Sequence, residues 1–204
     1  MANRAKLTAH RYARAGATVS GRMRAKICVV GDESTGKTDL IRPYVLNELD
    51  DRYTITLGTK VSTKILRVRP PNGSREVSLM LWIWDIMGKR GFHELLKEAY
   101  FYGADGILAV GDGTRPDGLD GIDEWVSSVL AVTRRVPVVI LVNTEGKTVR
   151  GVFKKAVAAK AKAYNAPYFY TSTRTRANVE RAFQTLAEAI TASRPQQSYH
   201  DRTN

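Results

Sequence analysis

Cysteine occurs once in the 204 residues, as Cys28, so the chain cannot close a disulfide on itself. A reducing, intracellular setting follows as the expectation. Histidine occurs three times, at His10, His93 and His200, without the spacing of a metal-ligand set. No Ser–His–Asp arrangement stands out. No apolar run approaches the roughly 20 residues that cross a bilayer. Acid is missing from residues 1–26, which carry Arg4, Lys6, Arg11, Arg14, Arg22, Arg24 and Lys26. That stretch supplies +7 of the net charge of +12. Three readings of it stand: a solvated terminus, an electrostatic attachment to an anionic membrane or nucleic acid, and a cleavable Arg-rich targeting segment. Residue 2 is Ala and no cysteine lies near the end of the sequence, so no lipidation signal is visible.

What is present reads as one soluble domain. The chain is 43% hydrophobic and 25% charged, and long enough to bury a sizeable core. Strand-length apolar runs alternate with helix-like segments. "AKICVVG", "TKVSTKILRVR", "VSLMLWIWD", "GILAVGD", "VPVVILVN" and "PYFYTS" read as six strands. The turn signal "PPNG" makes the second and third a hairpin. Residues 36–48, 119–133, 151–164 and 178–190 read as helices, the last capped by Asn178. Trp82 and Trp84 share one strand face, which predicts packing under a helix. Trp125 fits the apolar face of its own helix. The alternation predicts an α/β fold, a mostly parallel six-stranded sheet with one antiparallel edge strand and helices on both faces.

The stretch "GDESTGKT", Gly31–Thr38, fits G-x-x-x-x-G-K-[ST] and sits between a strand and a helix, as a phosphate loop must. Backbone N–H groups of such a loop point at phosphate oxygens, and the helix N-terminus adds a favourable field. Glu33, Ser34, Thr35 and Gly36 belong to this cradle. Lys37 can reach the β and γ phosphates, and Thr38 offers a hydroxyl to Mg²⁺. "WIWDIMGKR" then supplies Asp85 and Gly88 as D-x-x-G at a strand end. The aspartate is placed to hold Mg²⁺ and the glycine N–H to meet a γ-phosphate.

From about Ala25 to Ser193 these motifs resemble the small GTPases of the Ras superfamily, and the Rab-like branch in particular. The resemblance implies the P-loop NTPase fold, GTP and GDP as ligands, Mg²⁺ as cofactor, and effector or regulator proteins reading the switch regions at roughly 50–60 and 87–102. It implies that Thr56, in "TLGT", closes over Mg²⁺, with Thr54 and Thr59 as alternatives. It places Ser172, Thr173 and Arg174, in "TSTR", near the base. The aromatics of "FYTSTRTR" fall in a strand, so no clear nucleic-acid signal emerges. A basic arm over 1–24, a GTPase-like domain over 25–194 and a tail over 195–204 complete the expected organisation, in a cytoplasmic protein with peripheral membrane attachment as an option.

Three departures from the family pattern bear on activity. Where the family reads guanine with N-K-x-D, this chain has Asn143, Thr144, Glu145 and Gly146. The base-covering lysine and the guanine-binding aspartate are both replaced. Glu145 could take over the base contact from one position earlier, or be a solvated loop residue. Glu33 stands where the family has a small residue beside the γ-phosphate. Lys89 stands where it has the glutamine that orients water, and an ammonium cannot accept a hydrogen bond. Glu33 and Lys89 would face each other across the γ-phosphate, as an ion pair or as two independent charges. The reading is a GTP-binding switch with slow or impaired hydrolysis, in which Lys37, Gly88 and Lys89 act at the phosphate. The alternatives are a pseudo-GTPase interaction module and a P-loop kinase of a small substrate. The D-x-x-G at a strand end argues against the kinase.

Overall fold

The computed structural model describes residues 21–45, 54–56, 58–70, 76–88, 98–133 and 135–194. Its strands are β1 (Arg22–Val30), β2 (Thr54–Thr56), β3 (Thr59–Val68), β4 (Val77–Ile86), β5 (Gly106–Asp112), β6 (Val138–Asn143) and β7 (Tyr168–Thr171). Its helices are α1 (Lys37–Val45), α2 (Gly121–Val132), α3 (Gly151–Ala163) and α4 (Val179–Ser193), with a 3-10 turn at Glu33–Thr35. Residues 98–101 are also helical.

One sheet runs β2-β3-β4-β1-β5-β6-β7. β4, β1, β5, β6 and β7 are parallel, while β3 pairs antiparallel with β4 and with β2. All six expected strands form, and the three-residue β2 adds a seventh at the antiparallel edge. Nothing in the apolar pattern announces so short a strand. β5 and β6 are buried along their whole length, as parallel strands covered on both faces must be.

The two faces of the sheet support separate cores. On one, Ile27, Val29, Leu81 and Ile83 pack against α1 and α4. α4 contributes Val179, Ala182, Phe183, Leu186 and Ile190, the three-and-four spacing of a single buried stripe. On the other, Cys28, Val30, Ile107 and Ala109 pack against Phe101 and the α2 residues Ile122, Trp125 and Val129.

Two local expectations are corrected. Trp82 does not lie under a helix: it is 43% exposed, whereas Trp84, two residues on, packs against the second core. Asn178 stands at the start of α4, but its side chain makes no cap. Its backbone is left-handed (φ 59°) and its Nδ2 donates to the Tyr170 carbonyl instead, at 2.8 Å.

Candidate nucleotide site

The loop leaving β1 turns at residues 33–35 and enters α1 at Lys37. Gly36 closes the turn with φ 74°, a backbone that favours glycine. A Cβ there would lie 2.8 Å from the Asn143 Nδ2, so the loop also packs against the end of β6 too closely for any side chain. The Lys37 ammonium is buried and donates to the Asp32 carbonyl at 3.0 Å. Thr38 Oγ1 donates to Asp85 Oδ2 at 2.7 Å, joining the start of α1 to the end of β4. Burial pushes the Asp85 carboxyl above the usual carboxylate range, and the Thr38 bond, Lys37 and Lys60 oppose that push. Burial likewise lowers the Lys37 ammonium, opposed by Asp85, Asp32 and Glu33. In each case desolvation is the larger effect.

Gly88 lies against this loop. A Cβ at Gly88 would come within 2.3 Å of the Glu33 backbone N, so only glycine allows the approach. Glu33 itself points to solvent. Ser34 is also exposed and its Oγ accepts from Arg115 NH1 at 3.2 Å. Thr35 is buried, its Oγ1 donating to Asp32 O at 2.8 Å. Lys89, and with it the proposed partner of Glu33, lies outside the described residues. Thr56 ends β2 opposite Thr59, and Thr59 pairs in turn with Ile86, next to Asp85. Of the two alternatives, Thr59 is buried and its hydroxyl is bonded to the Asp85 carbonyl at 3.0 Å. Thr54 starts β2, paired with Val61.

The other end of the cleft is assembled from the loops after β6 and β7. Asn143 is buried; its Nδ2 donates to the Thr35 carbonyl at 3.2 Å and its Oδ1 accepts from the Glu145 N–H. Thr144 is turned inward, its hydroxyl donating to Thr171 O and accepting from Gly146 N–H. Glu145 is exposed in a left-handed backbone (φ 50°), with Lys147 Nζ 3.9 Å from its carboxylate. Ser172 is buried and its Oγ accepts from Thr175 N–H at 3.3 Å. A cleft of about 350 Å³ is lined by Glu145, Gly146, Lys147, Thr173 and Arg174. Arg174 Nη2 lies 3.4 Å from where a Gly146 Cβ would stand.

Two anchors of the loop escaped sequence reasoning. Trp125 is not only core: its Nε1–H donates to Asp32 Oδ1 at 3.0 Å and ties the loop to α2. Arg115, held by Asp117 through two hydrogen bonds, reaches Ser34. An acid inside the phosphate loop was the available signal for the first. Nothing in the sequence pointed to the second.

The Ras family model matches residues 26–192. The chain is 31% identical over 166 residues to Ras-related protein Rab-7b of Mus musculus, covering 79% of this chain and 80% of that protein. It is 32% identical over 178 residues to Ras-related protein Rab7 of Drosophila melanogaster, covering 83% of each, and 31% identical over 172 residues to Rab7 of Pisum sativum, covering 80% of each. With a phosphate loop running into α1, an aspartate ending β4 and Asn143 ending β6, the chain belongs to the Ras superfamily of small GTPases, in its Rab-like branch.

Proposed function

We propose that this protein is a GTP-binding switch that hydrolyses its nucleotide slowly. The observation that carries the reading is the Thr38–Asp85 pair at 2.7 Å beside the buried Lys37. A hydroxyl and a buried carboxylate at the entrance of a helix make an oxygen donor set suited to a hard divalent cation, and a neighbouring ammonium suits phosphate. In this reading Thr38 and Thr56 would hold Mg²⁺, with Asp85 acting on it through water. When bound, the ion would supply neutralisation of phosphate charge. The loop amides of residues 33–38 and the Lys37 ammonium orient the phosphates, and Gly88 supplies the close backbone approach at the γ end. Asn143 braces the loop, and the Ser172–Arg174 segment with Glu145 bounds the base. Effector or regulator proteins are the partners expected of a switch, at residues 50–60 and 87–102.

Slow hydrolysis rests on Lys89, which has no acceptor with which to align water. Lys89→Gln should raise single-turnover GTP hydrolysis about tenfold or more, within the range that one positioned polar group contributes. An unchanged rate would remove Lys89 as the cause.

The direct test is calorimetric titration of the nucleotide-stripped full chain with GTP, GDP, ATP and XTP, each with Mg²⁺. Tight GTP and GDP binding that weakens when Mg²⁺ is chelated supports the switch. A second reading is favoured by Gly146 and the inward Thr144, which leave no family-type base contacts. It is a pseudo-GTPase interaction module, and equal weak binding of all four nucleotides, or none, would establish it. The basic arm over 1–24 and the tail over 195–204 flank the switch domain in either case.

A further inference from the structure

The register of the sheet brings a cationic and apolar surface together far from the nucleotide. On β1 the residues Arg22, Arg24, Lys26 and Cys28 point to one face. Across β4 and β3 they continue in rows, Arg22 with Ser78 and Arg67, Arg24 with Met80 and Ile65, Lys26 with Trp82 and Thr63. The end of this face nearer the nucleotide, at Cys28 and Trp84, is covered by the second core. Lys26 closes that cover, its Nζ donating to the Tyr102 carbonyl at 2.8 Å and lying 3.9 Å above the Trp84 ring. Beyond Lys26, among the described residues, neither core extends over the face. Ile65 is 51% exposed and Trp82 43% exposed, and neither they nor Met80 belongs to either core. Arg22, Arg24 and Arg67 surround them, all exposed.

We propose that this uncovered face of β1, β3 and β4 docks on an anionic lipid surface. Charge complementarity selects the occupant. The acids nearby are already engaged, Glu76 with Arg67 at 3.9 Å and Asp105 with Arg194. The sequence before β1 adds Arg4, Lys6, Arg11 and Arg14 and no acid, so it brings no charge complementary to the face. A headgroup layer satisfies both parts of the surface. Arginine reaches lipid phosphates while its stem stays over apolar atoms, and tryptophan with Met and Ile beds at the interface. A nucleic acid backbone would match the arginines and leave Ile65 and Met80 against water. The inference rests on the domain reading and not on the ligand reading.

The test is co-sedimentation of the full chain with vesicles of phosphatidylcholine alone and of phosphatidylcholine mixed with phosphatidylserine. Binding to the mixed vesicles only, weakening with salt, is expected. Arg22→Ala with Arg24→Ala should weaken it roughly 25-fold, at about fivefold per cation. Trp82→Ala should weaken it further, and tryptophan emission should shift to the blue on binding in the wild type but not in Trp82→Phe. In a full chain with Arg4, Lys6, Arg11 and Arg14 all changed to Gln, residual binding should still depend on Trp82. Thermal unfolding followed by circular dichroism checks that each variant is folded, and nucleotide affinity is measured separately. No vesicle binding overturns the proposal. So does binding that vanishes with the arm substitutions while the Arg22, Arg24 and Trp82 variants behave as wild type. Loss of nucleotide binding with vesicle binding intact would sink the switch and leave this surface standing.

Discussion

Both ends of the cleft grow from loops at the C-terminal ends of parallel strands, but they are held differently. At the phosphate end four side chains are tied down: Lys37 and Thr35 on the Asp32 carbonyl, Thr38 on Asp85, and Asp32 itself on Trp125, while Glu33 and Ser34 stay exposed. At the base end Asn143 and Thr144 are spent on bracing loops, while the groups facing the cleft are exposed. Geometry is therefore over-determined where phosphate chemistry is common to all nucleotides, and loose where one base is told from another. The architecture separates holding a nucleotide from choosing it.

The largest test of that separation is Lys37→Ala. Losing two charge-assisted contacts at about 1.5–3 kcal/mol each should lower affinity by roughly 10² to 10⁴, equally for GTP, ATP and XTP. A loss confined to GTP in the same titration would break the comparison. Next comes restoration of the family pattern, Thr144→Lys with Gly146→Asp. Aspartate tolerates the left-handed backbone at position 146 (φ 80°) better than most residues, and Arg174 lies within reach to orient it. The GTP-to-ATP affinity ratio should rise at least about tenfold, after the strain is offset against two regained bonds. An unchanged ratio would show that guanine is read elsewhere.

Trp125→Phe removes the donor to Asp32 Oδ1 and replaces a fully buried indole with a smaller ring. Denaturant unfolding should report a loss of about 1–3 kcal/mol, from the lost hydrogen bond and the smaller buried ring. An effect confined to high pH lies in the core beneath both halves. Burial holds the Cys28 thiol up to about 12, against 9 for a free thiol. Its folded form keeps the proton that the unfolded chain sheds, so its stabilisation is complete below pH 9 and falls as pH rises from 9 towards 12. Relative to Cys28→Ala, the wild type should lose up to about 1.4 kcal/mol per pH unit in that window.

Much of this was legible in the sequence because it is periodic or glycine-punctuated. The six longer strands are apolar or alternating runs, and Gly31–Thr38 and Asp85–Gly88 carry the fixed spacings of the family's phosphate motifs. The misses have a common cause. Trp82 and Trp84 look alike in sequence, and only the extent of the helical cover separates an exposed ring from a packed one. β2 is three residues long and holds its place through β3 rather than through its own pattern. Asn178 has the right chemistry for a cap, yet the Tyr170 carbonyl competes for it. Asp32 with Trp125 and Arg115 with Ser34 join residues 93 and 81 positions apart, which no local reading can pair.

The position of β1 has a consequence for how the chain folds. The strand that carries the phosphate loop pairs with residues 78–85 on one side and 106–109 on the other, and with nothing close to it in sequence. The β3–β4 hairpin can close early, because its strands are adjacent, whereas β1 must wait for a long loop to be shut on each side. The binding loop is thus assembled late. A bound nucleotide should then slow unfolding much more than it speeds folding, prolonging the life of the native state without shortening the path to it.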